Sequence, residues 1–122
     1  MMQRNNLRIG FLGEEEAGKY LQSKGYKIID RNFKKRYGEI DIIAMDGKVL
    51  VFVEVKTRKA NLYGFAEDAI TPRKIKTLVK SAQYYKLCHP QLPDEMRIDA
   101  ITVQMSNFDT PVDIKHYQNI TG

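Results

Sequence analysis

GEIDIIAMDGKVLVFVEVKTR, residues 38–58, reads as two strands joined by a tight turn. Asp46-Gly47 is a hairpin signal, because both central positions of a type I′ turn need positive φ. With those two residues in the turn, Met45 faces Lys48, Ile43 faces Leu50, Asp41 faces Phe52 and Glu39 faces Glu54. Side chains alternate between faces along a strand, and cross-strand partners share a face. Glu39, Asp41, Glu54 and Lys56 then project from one side, and Ile40, Ile42, Val51, Val53 and Val55 from the other. Carboxylates in an apolar setting are costly unless paired, hydrogen-bonded or bound to metal. Charges on a strand are commonly a solvated ion-pair face. Here they close a near-continuous apolar run, VLVFVEV, and that position favours a site.

Upstream, YKIIDRNFKK (residues 26–35) reads as a first strand running into the basic cluster Lys34, Lys35 and Arg36. Such a cluster is either a solvated rim or, beside an acidic site, a holder of phosphates. Residues 6–24 read as a helix capped by Asn5 or Asn6, with Gly10, Gly13, Ala17, Tyr20 and Leu21 recurring at helical spacing. At about 100° per residue Glu14 falls beside Ala17 and Leu21, whereas Glu15 and Glu16 rotate outward, so Glu14 is either an acid beside the packed face or part of a solvated acidic turn stabilised by the helix dipole. Gly25 is placed to end the helix.

Downstream, residues 57–70 read as irregular. Thr71-Pro72 opens a second helix, a capping residue followed by proline at its first position. Ile75, Leu78, Val79, Ala82 and Tyr85 or Lys86 define its packed side; Arg73, Lys76 and Lys80 form a basic stripe, with Lys74 in the first turn, which is either the solvated face of an ordinary amphipathic helix or a phosphate-binding rail. Cys88, His89 and Pro90 end it. MRIDAITVQM (96–105) alternates as a strand, with Ile98, Ala100 and Thr102 on one face and Arg97, Asp99, Ile101 and Val103 on the other. A last short strand runs 112–117, and His116 in it reads as a structural or surface histidine. The order α-β-β-β-α-β-β predicts an α/β domain with a mixed sheet.

The chain has 122 residues and 43% hydrophobic content, which suits one compact domain, residues 1–122, and argues against disorder. Its net charge of +5 favours an anionic partner. A single cysteine excludes an internal disulfide framework and a multi-cysteine zinc site. With no signal peptide and no membrane-spanning run, the expected compartment is the cytoplasm, without membrane association.

Carboxylates clustered on strand ends suit Mg²⁺ or Mn²⁺, which prefer hard oxygen ligands. A nearby lysine can orient water or stabilise charge on phosphate. Together they describe metal-dependent phosphodiester hydrolysis. Asp41 followed by Glu54-Val55-Lys56 resembles the PD-(D/E)xK nuclease signature, with Ile40 where that signature often has proline. Gly13-Glu14 with Ala17 and Leu21, GEIDIIA, FVEVKTR, the Thr71-Pro72-Arg73-Lys74 helix start, Arg97-x-Asp99, and His116 with Asn119 together resemble the YraN-like family of uncharacterised bacterial proteins.

That resemblance covers nearly the whole chain and implies a restriction-endonuclease-like three-layer fold, related to archaeal Holliday-junction resolvases. It also implies roles. Glu14, Asp41, Glu54 and Lys56 would be catalytic. Asp41, Glu54, Glu14 and the Val55 carbonyl would hold the metal, with Glu39 an auxiliary acid. Arg36, Arg58, Arg73, Lys74 and Lys76 would contact nucleic acid. The implied activity is Mg²⁺-dependent (or Mn²⁺-dependent) cleavage of DNA, branched or damaged, by a chain that could act as a homodimer. The alternative is a non-catalytic nucleic-acid-binding protein with a nuclease-like fold.

Overall fold

The computed structural model describes residues 2–59 and 70–122, with side chains from Leu7 onward. The elements are helix α1 (Met2–Ser23), strands β1 (Lys27–Lys34), β2 (Glu39–Asp46) and β3 (Val49–Lys59), helix α2 (Pro72–Cys88), and strands β4 (Met96–Met105) and β5 (Pro111–Tyr117). The expected order of elements is the observed one. The five strands form one mixed sheet in sequential order, antiparallel except for the β3–β4 pair. Parallel neighbours need a long crossover, and α2 lies within it.

The helices cover opposite faces of the sheet and so make three layers. Ala17 and Leu21 of α1 pack on Ile42, Ala44, Val51, Val53, Val55, Ile101 and Val103. Leu78, Ala82 and Tyr85 of α2 pack on Phe33, Ile40, Ile43, Leu50, Phe52 and Ile98. Helix α1 begins at Met2, so Asn5 and Asn6 lie inside it and neither is the cap. Its end is as expected. The Tyr26 N–H reaches the Leu21 carbonyl (3.0 Å) and the Gly25 N–H the Gln22 carbonyl (3.0 Å), the paired bonds of a Schellman motif. At the start of α2, the Thr71 hydroxyl accepts from the Lys74 N–H (3.2 Å), ahead of proline in the first turn.

Two local expectations are corrected. The segment expected to be irregular from Thr57 begins as strand, since β3 runs to Lys59; residues 60–69 of that segment lie outside the described residues. The β2–β3 turn is Gly47-Lys48, with Asp46 paired to Val49. Gly47 has φ +60 and Lys48 is not among the positive-φ residues, which fits a type II′ turn with glycine first. This moves every cross-strand partner by two positions: Met45 faces Leu50 and Ile43 faces Phe52. A shift of two preserves the faces, whereas a shift of one would have inverted them.

Candidate metal centre

The sheet loses its regular alternation at Asp41. Ile42 packs on the α1 side, but Ile40, expected to share its face, packs on the α2 side with Ile43. The β1 pairs Arg31↔Ile42 and Phe33↔Ile40 set Asn32 opposite Asp41, and Asn32 has φ +51. Asparagine tolerates this left-handed conformation better than most residues. Backbone pairing of β2 with β3 runs from Asp46↔Val49 to Ile42↔Val53. One step beyond, the Val55 N–H donates to Asp41 Oδ2 at 2.7 Å, so a carboxylate takes the place of a strand carbonyl. The slip in phase therefore turns an acid into the sheet.

Three acids meet at this opening, and a fourth, Glu54, lies beside Asp41 outside their group. Glu14, Glu39 and Asp41 each place a carboxylate oxygen within 4.8 Å of the others. The Glu54 carboxyl is close enough to Asp41 to raise it by charge repulsion. Glu14 reaches the group because α1 runs close over β3: a Cβ at Gly13 would run into the Thr57 hydroxyl. Glycine inside a helix costs about 1 kcal/mol relative to alanine, and here it permits that approach. Asn32 ties the acids together, its Nδ2 donating to Glu14 (2.9 Å) and Glu39 (2.8 Å). Glu54 is almost fully buried and is held by Lys56 Nζ at 3.6 Å and Lys74 Nζ at 3.4 Å. Lys34 approaches Glu39 from the rim at 3.9 Å.

The electrostatics are those of too many acids for the cations present. Burial pushes the Asp41 carboxyl up to about 8; Glu54 and Glu14 add to the rise, and the Val55 N–H opposes it. Burial also raises Glu14, with Glu39 and Glu54 reinforcing it and Asn32 opposing. A cavity of about 340 Å³ opens beside Glu14, lined by Ile9, Gly10, Val55, Lys56, Thr57 and Arg58. The arrangement can bind a small hard cation and present two lysines beside it.

The candidate residues thus fall into three places. Glu14, Glu39 and Asp41 come together, Glu54 lies beside Asp41 with Lys56, and Val55 contributes its N–H to Asp41. Lys74, expected to contact nucleic acid, reaches Glu54 from the first turn of α2. Arg58 lines the cavity, while Arg73 and Lys76 are exposed on α2 and Arg36 lies beyond the end of β1. Sequence reasoning missed Asn32; an asparagine inside a strand pattern that disfavours it was the available signal.

A second buried acid sits elsewhere on the sheet. Asp99 accepts from Arg97 Nε (2.8 Å) and Nη2 (3.0 Å), from the Asn119 N–H (3.0 Å) and from His116 Nε2 (2.8 Å). Burial raises its pKa, but the bonds from His116, Arg97 and Asn119 outweigh that and hold it below the usual carboxylate range. Arg97 Nη2 also donates to the Tyr26 hydroxyl (2.7 Å). Of the two places read for His116, structural or surface, it takes the structural one, against Asp99.

Comparison with known proteins adds a family. The sequence model of a family described as "Uncharacterised protein family UPF0102" matches residues 13–103. A UPF0102 protein of Syntrophomonas wolfei is 45% identical over 98 residues, 80% of this chain and 85% of the relative. One of Geobacter sulfurreducens is 43% identical over 115 residues, 94% of this chain and 89% of the relative. One of Alkaliphilus oremlandii is 40% identical over 116 residues, 93% of this chain and 97% of the relative.

Proposed function

The chain belongs to the UPF0102 family, and for it we propose a Mg²⁺-dependent (or Mn²⁺-dependent) endonuclease that hydrolyses phosphodiester bonds of DNA. The observation that carries this reading is the meeting of Glu14, Glu39 and Asp41 within 4.8 Å, beside a buried Glu54 that already attracts two lysines. The donor set fits a hard divalent ion: all oxygen, several charges, and carboxyls whose repulsion and burial leave them short of positive charge.

Glu14, Asp41 and Glu54 would hold the ion, with the Val55 carbonyl as a further ligand and Glu39 as an auxiliary acid. The bound ion would supply charge for a phosphoryl oxygen and lower the pKa of a water. Asp41 is anchored by the Val55 N–H, so its carboxylate is oriented before any ligand arrives. Lys56 and Lys74 hold Glu54 from positions where their ammonium groups can also face a phosphate. Preorganised positive charge of this kind stabilises the charge that develops in phosphoryl transfer. The kinship with PD-(D/E)xK nucleases and a restriction-endonuclease-like fold belongs to the same proposal. So does action in the cytoplasm; among the described residues, no helix is long and apolar enough to cross a membrane.

The test is a cleavage screen of the purified chain with Mg²⁺ or Mn²⁺ over linear, branched, damaged and single-stranded DNA. Asp41→Asn and Lys56→Ala serve as controls, with metal binding measured calorimetrically alongside. Cleavage lost in both variants, with metal binding lost in Asp41→Asn, supports the assignment. No metal binding and no cleavage of any substrate would sink it. Nucleic-acid binding without metal or turnover would leave the non-catalytic alternative.

A further inference from the structure

Helix α2 carries five cations, Arg73, Lys74, Lys76, Lys80 and Lys86, and no acidic residue. At 100° per residue, Arg73, Lys76, Lys80, Tyr84 and Leu87 fall in one stripe along it. The first three are exposed cations; the last two turn the stripe apolar. There the β1–β2 connection lies against α2. A Cβ at Gly38 would come 3.3 Å from the Thr77 methyl, and the Tyr37 ring packs edge-on to Tyr84 with centroids 6.1 Å apart. Arg36 sets its guanidinium 5.8 Å from the centroids of both rings. It does so from φ +68, a conformation uncommon for a residue other than glycine. Tyr37 keeps 41% of its surface open beside a hollow of about 250 Å³ bounded by Lys80, Gln83, Tyr84 and Leu87.

We propose that the outer face of α2 docks a single-stranded stretch of nucleic acid, with one base stacked at the Tyr37–Tyr84–Arg36 cluster and its phosphates following Lys80, Lys76 and Arg73. Three observations select this ligand. The stripe offers positive charge without interspersed acid, which suits a polyanion. Open tyrosine and guanidinium faces stack on bases, and a base can present its face only where it has left a duplex. Finally, the stripe leads back to the first turn of α2, where Lys74 reaches Glu54. From Tyr84 to Lys74 the helix rises about 15 Å, so a strand seated on the tyrosines has a short path to the acids. This deepens the endonuclease reading and rests on it for the choice of nucleic acid: the substrate would have a frayed, flapped or branched end rather than an uninterrupted duplex.

The experiment is equilibrium binding by fluorescence anisotropy, in EDTA so that neither metal binding nor cleavage enters. The probes are a labelled twelve-nucleotide oligodeoxythymidine and a twelve-base-pair duplex, tested against wild type, Tyr37→Ala, Tyr37→Phe and Lys80→Ala. The expected result is tighter binding of the single strand than of the duplex. Tyr37→Ala should weaken single-strand binding roughly five- to tenfold or more, the usual loss of one base–aromatic stack, and Tyr37→Phe should retain it. Lys80→Ala should reduce the salt slope of single-strand binding by about 0.7, the value for one phosphate contact.

Tyr37 and Lys80 are exposed, so each variant should fold, and circular dichroism checks this. The proposal is overturned if Tyr37→Ala binds as wild type or if Tyr37→Phe loses as much as Tyr37→Ala. Preference for the duplex overturns it too, as does failure to bind either probe, which would give the patch to a protein partner. A chain that binds strands in this manner yet never cuts DNA would refute the endonuclease and leave the docking face standing.

Discussion

Asp41 and Asp99 are both buried aspartates on strands of the same sheet, and they are solved in opposite ways. Asp99 has no exposed surface and is met by a bidentate arginine, a histidine and a backbone N–H, which together hold it ionised. Asp41 is met by one backbone N–H and by other acids, and its carboxyl is pushed up to about 8. One acid has all the positive charge it needs from the chain; the other does not. A fully paired buried acid needs no ligand, whereas a crowded one is stabilised by an added cation. Burial alone therefore separates structure from site less well than the identity of the partners does.

The sharpest way to break this contrast is Asp99→Ala. It leaves Arg97 and His116 beside a buried gap and frees the Asn119 N–H, so stability should fall by about 3–5 kcal/mol, the usual result of removing one partner of a buried ion pair. Urea unfolding measures it. A loss under about 1 kcal/mol would show that Asp99 is no anchor. At the acid cluster, a ligand should act in the opposite direction. Mg²⁺ at about a hundred times its dissociation constant should stabilise the wild type by about 2.7 kcal/mol, read as a rise in melting temperature. The same addition should leave Asp41→Asn unmoved.

The reasons for what the sequence showed differ between these two regions. The pattern of MRIDAITVQM was strong enough to give β4 and its two faces: Ile101, Val103 and Met105 pack on the α1 side and Ile98 on the α2 side, as a period of two requires. The partners of Arg97 and Asp99 were not visible, since Tyr26, His116 and Asn119 come from elements far apart in the chain. In the hairpin, Asp41, Glu54 and Lys56 were legible as charges inside an apolar run. The turn was misplaced because Asp-Gly and Gly-Lys both satisfy hairpin chemistry, and only the whole sheet decides between them. Ile40 was put on the wrong face because the slip at Asp41 breaks the very periodicity used to assign it. Asn32 escaped notice for the same reason: its work depends on a local conformation that pattern reading treats as noise.

Asp41→Asn in the absence of metal sharpens the comparison by its sign. The amide oxygen can still accept from the Val55 N–H, while the charge that repels Glu54 and Glu14 disappears. Above pH 8 the variant should be more stable than wild type, on the order of 1–2 kcal/mol, even though it removes a native ionisable group. The pH dependence follows. A carboxyl raised in the folded state, from 3.8 to about 8, keeps its proton on folding; its stabilising effect is full below the unfolded value and is lost as pH rises towards 8. Asp99 is lowered in the folded state, so its contribution is present above the unfolded value and is lost as pH falls through the folded one. Metal-free wild type should therefore lose stability between pH 4 and 8, and Asp41→Asn should flatten that slope. Parallel profiles for the two proteins would contradict the assignment of the slope to Asp41.

The smallest expected effect belongs to Lys74→Ala, and it tests whether the cations at Glu54 differ in kind from the one at Asp99. Lys74 and Lys56 both approach Glu54, at 3.4 and 3.6 Å, and each keeps about a third of its side chain in solvent. Either can leave, because water rehydrates the ammonium and the other lysine remains. Removing Lys74 should then cost the metal-free chain no more than about 1 kcal/mol, the range of partly exposed ion pairs. Mg²⁺ should bind more tightly to the variant, since one competing positive charge has gone from Glu54. Arg97 has no such freedom: its fork holds both oxygens of Asp99, and its side chain is only 18% exposed. Calorimetric titration of Mg²⁺ into Lys74→Ala decides the matter. Weaker binding than wild type would mean that Lys74 orders Glu54 for the ion instead of competing with it, and that Glu54 and Asp99 are held by cations in the same way.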